Sequence, residues 1–197
     1  MRRVIVLALL AMALPLAAWA DTIDVTNKFG SISISMSGIT STHSQMRSFN
    51  GTFAPRSGSL GYVSFGTGAF LGSSLLSDGT FSSTGSWFDI VRGGKNGMAF
   101  TGAFVGPIIW TATTLPGTHH LTFTLTGDIK GMLSNGHEMT GKTIQYFTTT
   151  KSQLGKGIAH ITGGTTTLAS TPEPGTLGLL GTGLVGIAGI FRRKKSV

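Results

Sequence analysis

The chain has 197 residues, a formal net charge of +8 and no cysteine. Without cysteine, thiol catalysis, thiolate metal sites and disulfide staples are excluded, and a core has to hold by packing alone. The basicity does not imply a nucleic-acid partner: residues 21–170 hold nine Lys/Arg against six Asp/Glu, scattered with no basic stripe, and the other six cations sit in the two terminal segments.

Arg2 and Arg3 precede the apolar run Val4 to Ala18, and Ala18-Trp19-Ala20 places alanine at both the −3 and −1 positions of a cleavage site. These features predict a secretory signal peptide, helical and spanning residues 1–20, with Ala18 and Ala20 as the residues read by signal peptidase. Residues 21–169 are then the secreted β-rich domain, a length that supports one domain with a core of its own. Its abundant Gly, Ser and Thr and low charge predict a polar, weakly charged surface of the kind adhesive or matrix-associated domains carry.

Within that domain no segment has a convincing helical period, but period-two alternation is clear in two places. Ser31 to Ser37 puts Ile32, Ile34 and Met36 on one face and serines on the other, and Leu121 to Thr126 alternates apolar residues with threonines. Such alternation marks half-buried antiparallel strands. Further strands are predicted at Leu60–Phe65, Gly85–Arg92, Met98–Val105, Ile108–Thr113, Lys142–Thr150 and Gly157–Thr162. Turns are predicted between them at Asn50-Gly51, Asp78-Gly79, Gly93-Gly94, Asn96-Gly97, Pro116-Gly117, Gly127-Asp128, Asn135-Gly136 and Gly163-Gly164, dipeptides that accept positive φ. The pattern predicts an all-β fold, an antiparallel β-sandwich or barrel, of which a jelly-roll-like sandwich of about eight to ten strands is the expectation and a β-solenoid the minor alternative.

The catalytic inventory is thin. His137-Glu138-Met139-Thr140-Gly141 begins like the zinc motif H-E-x-x-H, but Gly141 stands where the second histidine is needed. His119 or His120 joining His137 across a sheet is the alternative metal arrangement, and since neighbouring strand residues point to opposite faces only one of the pair could take part. His160, between Ala159 and Ile161, reads as a packed or edge histidine. Asp89 beside Trp87, and Glu138, are the acids left after terminal and turn aspartates are set aside, and no G-x-S-x-G elbow is present. No catalytic residue, cofactor or metal ligand is therefore expected. Exposed aromatics, with Trp87, Trp110 and Tyr146 as candidates, would instead support a secreted carbohydrate-binding module.

The C-terminal segment, residues 170–197, has a different character. Pro172-Glu173-Pro174 precedes seventeen uncharged residues, Gly175 to Phe191, and then Arg192, Arg193, Lys194 and Lys195. As a helix the apolar run would span about 25 Å against roughly 30 Å of bilayer hydrocarbon, a gap that snorkelling Arg and Lys stems can close. Four cations beyond it favour the cytoplasmic side, so the preceding domain would face the periplasm. Gly181 to Gly186 spells G-x-G-x-x-G, yet a Pro-rich linker precedes it where a dinucleotide site needs a strand.

Motif, apolar helix and basic stop in that order resemble the PEP-CTERM sorting signal. The resemblance covers about one seventh of the chain and implies an exosortase, a membrane-embedded transpeptidase, as the partner that recognises Pro172, Glu173 and Pro174. It implies transient anchoring in the inner membrane with Arg192–Lys195 as the basic stop, and then transfer to the cell surface or extracellular matrix, as in a biofilm. The expected function is that of an exported, non-enzymatic surface or matrix protein; an exopolysaccharide-associated carbohydrate-binding module is the alternative.

Overall fold

The computed structural model describes residues 21–94, 97, 99–114 and 120–170. The expected signal peptide with Ala18 and Ala20, the Pro172–Pro174 motif, the apolar run, the expected basic stop Arg192–Lys195 and the expected Pro116-Gly117 turn lie outside the described residues. Eleven strands and one short helix follow in order: β1 (Thr22–Lys28), β2 (Ser31–Ser35), β3 (Gly38–Phe49), β4 (Thr52–Phe53), β5 (Gly61–Gly66) and β6 (Gly79–Phe81). After these come β7 (Trp87–Arg92), β8 (Ala99–Thr114), β9 (His120–Leu133), β10 (Glu138–Thr150), α1 (Lys151–Gly155) and β11 (Ile158–Ser170).

The expected sandwich is replaced by a closed barrel. All pairings are antiparallel, and the main path runs β11-β10-β9-β8-β7-β5-β3 between neighbours in sequence. β1 then pairs with both β11 and β3, and β2 pairs with the same two strands further along, so the two form one split stave that closes the ring. A second split stave consists of β6 and β7, which bond to successive parts of β8. Among the described residues eight staves in simple up-and-down order result, with no Greek-key crossing, and the ring has no open edge for a second sheet to pack against.

Strand length explains the difference. β8, β9 and β11 contain 16, 14 and 13 residues, each running through a glycine that reads locally as a turn. Ala99–Val105 and Ile108–Thr113, expected as parts of two separate strands, both belong to β8, interrupted by a register shift between Val105 and Ile109. β9 passes straight through Gly127-Asp128. A Cβ at Gly127 would lie 2.6 Å from the Phe104 ring, so glycine is required there by a close packing contact inside the barrel. β1 and β3 also form, although neither was expected. Asn50-Gly51 and Asn135-Gly136 do turn the chain, with positive φ at Asn50, Gly51 and Gly136.

The interior is filled by rings. Trp110 stacks on Phe123 at 4.6 Å and on Phe147 at 5.9 Å between centroids. Phe81 meets Trp110 edge-on, while Phe147 continues through Phe65 to Phe88 and Phe104. Aliphatic side chains from every stave complete this core, among them Ile34, Ile39, Val63, Leu125 and Leu168. Each fully buried aromatic contributes on the order of 2–3 kcal/mol of transfer free energy, so the interior supplies most of the fold's stability without disulfides.

A polar cluster interrupts this apolar lumen. Asn27 Nδ2 donates to Gln145 Oε1 at 2.9 Å and to Ser44 Oγ at 2.8 Å, while Gln145 Nε2 donates to Asn27 Oδ1 at 3.2 Å and Thr143 Oγ1 at 2.8 Å. Thr143 and Thr166 share a further bond of 2.9 Å. The amide pair ties β1 to β10 across β11, and Gly164 makes room for it: a Cβ there would stand 2.1 Å from Gln145 Oε1. Because both amides are buried, removing one strands the other. Asn27→Ala is expected to lower unfolding free energy by about 2–3 kcal/mol in urea titration; a loss below about 0.5 kcal/mol would show that the pair does not help hold the closing stave.

Candidate ligand groove on the barrel wall

Above the amide pair, three adjacent staves break their regular ladder at the same level. Between β1 and β2 lie Phe29 and Gly30, both at positive φ. In β3 the register shifts between Ser41 and Ser44, and His43 takes φ of 58°. In β11 the shift falls at Thr162, between Ile161 and Gly163. Ser44 Oγ donates to the Phe29 carbonyl at 2.9 Å, and Ile161 N–H donates to the Gly30 carbonyl at 3.0 Å, so the break is bonded from both sides.

Of the two non-glycine residues at positive φ here, Phe29 and His43, Phe29 borders the hollows. Its φ of 63° is a left-handed conformation, which for a bulky side chain costs about 1–2 kcal/mol relative to glycine. The ring is 51% exposed, with Lys28 Nζ 5.4 Å from its centroid. On either side is an open hollow of about 500 Å³. One is lined by Ser31, His160 and Thr162; the other by Arg47, Arg56, Tyr146, Gly163 and Thr165, with Lys28 and Phe29 common to both. Neither lining contains an Asp or Glu.

Gly163 forms the floor of the second hollow. It pairs with Tyr146 in register, and the next residue, Gly164, pairs with Asn27, so Gly163 lies between Tyr146 and the Lys28–Phe29 end of β1. Two strand spacings make that gap about 10 Å wide. Arg47 does not point freely into it. Its guanidinium donates to the carbonyls of Pro55 at 3.1 Å, Arg56 at 3.2 Å and Gly58, and so pins the loop that presents Arg56. Among the described residues neither Lys28 nor Arg56 is drawn into an ion pair.

The residues singled out from sequence fall elsewhere, with one exception. Trp110 is fully buried and its indole N–H donates to the Leu75 carbonyl at 3.0 Å, so it cannot serve as a sugar platform. Trp87 lies against Gly66, where a Cβ would come 2.3 Å from its Nε1. Tyr146 is 42% exposed and lines the groove. Asp89, Thr101, Met132 and Glu138 form one cross-strand row on the outer wall, which puts the two acids three strand spacings apart. At about 14 Å that separation exceeds either spacing used in glycoside hydrolysis. Glu138 is also ion-paired with Lys130.

His120 and His137 stand at opposite ends of the β9–β10 hairpin, the full length of a 14-residue strand apart. His137 sits in the turn, where the Leu133 N–H donates to its carbonyl at 2.9 Å, and Glu138 opens a strand, so the helical geometry of H-E-x-x-H is not available. His119 lies outside the described residues. His160 is exposed at the rim of the first hollow. Lys28, Phe29, Arg56 and Gly163 were not anticipated from sequence. Their signal is a phase slip: inward residues run Ile23, Val25, Asn27 and then Ile32, Ile34, odd to even across Phe29-Gly30.

A family model for the PEP-CTERM protein-sorting motif matches residues 170–195, so the chain carries that C-terminal motif. It marks the protein as one exported and sorted by an exosortase. Comparison with curated proteins and with solved structures gave no match.

Since Phe29 is strained and half in solvent, the fold does not need its ring. Phe29→Gly is expected to leave stability unchanged or raise it by up to about 1 kcal/mol, relief of the left-handed strain being partly offset by glycine's greater freedom when unfolded. A urea titration showing a loss above about 1 kcal/mol would mean that the ring is a packing element instead.

Proposed function

We propose that the barrel is the non-enzymatic outer domain of a surface or matrix protein that is cut free at its sorting motif. Signal peptidase would remove residues 1–20 after Ala20, the apolar run would hold the domain on the periplasmic side of the inner membrane, and an exosortase would then process it near Pro172-Glu173-Pro174. The observation that carries this reading is where the last stave stops. β11 bonds to β1, β2 and β10 and ends at Ser170, the residue at which the motif match begins. A cut near the prolines therefore leaves every stave paired, and the released product keeps its closed sheet.

The wall chemistry agrees with a water-facing final location. Threonine is the commonest outward residue of β9 to β11, including Thr124, Thr126, Thr140, Thr148, Thr165 and Thr167, while the lumen is aromatic and aliphatic apart from its polar cluster. A membrane-spanning barrel alternates the other way, apolar outside and polar within. Closure also removes the unpaired strand edges that would make a secreted sheet aggregate.

A second reading, a carbohydrate-binding module associated with exopolysaccharide, is favoured by one observation: Phe29 and Tyr146 present exposed rings to the same groove. Sugar rings stack their C–H faces on such surfaces.

Expression with and without an exosortase tests the sorting reading. Mass spectrometry of the surface form is expected to give a product that begins at Asp21 and lacks Arg192–Lys195, and Glu173→Ala with Pro174→Ala should keep the chain in the inner membrane at full mass. A surface product that always retains Arg192–Lys195 would overturn it.

A further inference from the structure

We infer that the two hollows flanking Phe29 form one binding track for an acidic polysaccharide, a chain of pyranose rings bearing carboxylates. The inference rests on the carbohydrate-binding reading above and adds to it a site and a ligand class.

Three observations point to the track independently. Phe29 keeps a strained left-handed backbone in order to stand in solvent, and strain of this kind is retained where a group has to be presented. Gly or Asn would make the same turn more easily. The second observation is Gly163. It is not among the glycines of positive φ, and a Cβ there would meet only the Tyr146 ring at 3.9 Å, an ordinary contact. Gly163 follows the Thr162 bulge, where glycine is common, and its bare backbone leaves the floor of the second hollow open. A strand glycine at a bulge also lets a ligand approach the backbone closely. Third, the flanking charges are Lys28 and Arg56, with His160 on the far side, and no carboxylate lines either hollow.

These features select the ligand. Rings with an apolar face fit against Phe29 and Tyr146, and the gap of about 10 Å over Gly163 admits one extended chain. Lys28 and Arg56 select for negative charge, Arg56 in the bidentate manner that suits a carboxylate. Two hollows on either side of one aromatic ridge suit a polymer, whose successive units occupy both, better than a single small molecule. The amide pair beneath the groove and the Ser44 bond to the Phe29 carbonyl keep the ridge in place before any ligand arrives, which limits the ordering penalty of binding.

The test uses the full chain purified in detergent, with polygalacturonate as the acidic probe, dextran as the neutral one and polyglutamate as a polyanion without sugar rings. Polygalacturonate is expected to bind at least about tenfold more tightly than either control, with affinity falling as salt rises from about 50 to about 500 mM. Phe29→Ala and Arg56→Ala should each weaken binding by about tenfold or more. Gly163→Thr fills the floor and should abolish binding while leaving the melting temperature unchanged or raised, whereas Tyr62→Ala, at an exposed aromatic elsewhere on the wall, should leave binding intact.

Equal binding of dextran or polyglutamate would overturn the acidic-polysaccharide assignment. Wild-type affinity in Gly163→Thr would overturn the site while the carbohydrate reading stood, and no binding to either polysaccharide would remove that reading as well. New reducing ends in the polygalacturonate would leave the track in place and contradict the non-enzymatic role.

Discussion

Closing one antiparallel sheet on itself creates a lumen that only side chains can fill, and the rest of this molecule follows from filling it. Every second residue of eight staves points inward, and the space is taken by the stacked rings of Trp110, Phe123 and Phe147 and their neighbours. Ring packing at that density leaves little freedom in register, because a slip of one residue would turn threonines inward and rings outward. Glycines at 127 and 164 are then positions where the lumen is too full for a Cβ. Without disulfides, this packing and the closing ladders of β1 and β2 keep the staves together.

The closing stave carries a second demand. β1 and β2 must both pair with β3 and β11, yet the inward phase changes between them, so the chain breaks at Phe29-Gly30 and its neighbours break with it. A buried amide pair sits under that break and is fully bonded, which turns a potential weak seam into a fixed one. Irregularity on the wall and order beneath it arise from the same residues. A groove placed over a rigid polar cluster is better preorganised than one built on a free loop, and here the strain at Phe29 is held by a hydrogen bond from Ser44 to its carbonyl.

The division of the chain into a barrel and a sorting motif also has a physical basis. β11 bonds along both of its sides and stops at Ser170, so the ladder is complete before the motif's prolines are reached. The motif identifies a route, and the chemistry of the barrel is argued from its wall.

Alternation in Ser31–Ser37 and Leu121–Thr126 was enough to read an antiparallel β-domain, because burial of one face imposes period two locally. Asn50-Gly51 and Asn135-Gly136 are legible as turns for the same local reason, and Thr150-Lys151-Ser152-Gln153 carries a capping-box spacing that α1 uses. Gly127-Asp128 and Gly163-Gly164 misled because a glycine needed for positive φ and a glycine needed for a close contact look alike in a sequence. That ambiguity cut long strands into short ones and made a sandwich of a barrel. The address in the C-terminal segment could be read directly, since a sorting enzyme recognises a contiguous stretch of chain. The groove could not: Phe29, Arg56, Tyr146 and Gly163 come from the β1–β2 turn, a loop, β10 and β11, and only closure of the sheet brings residues so far apart in sequence onto one patch of wall.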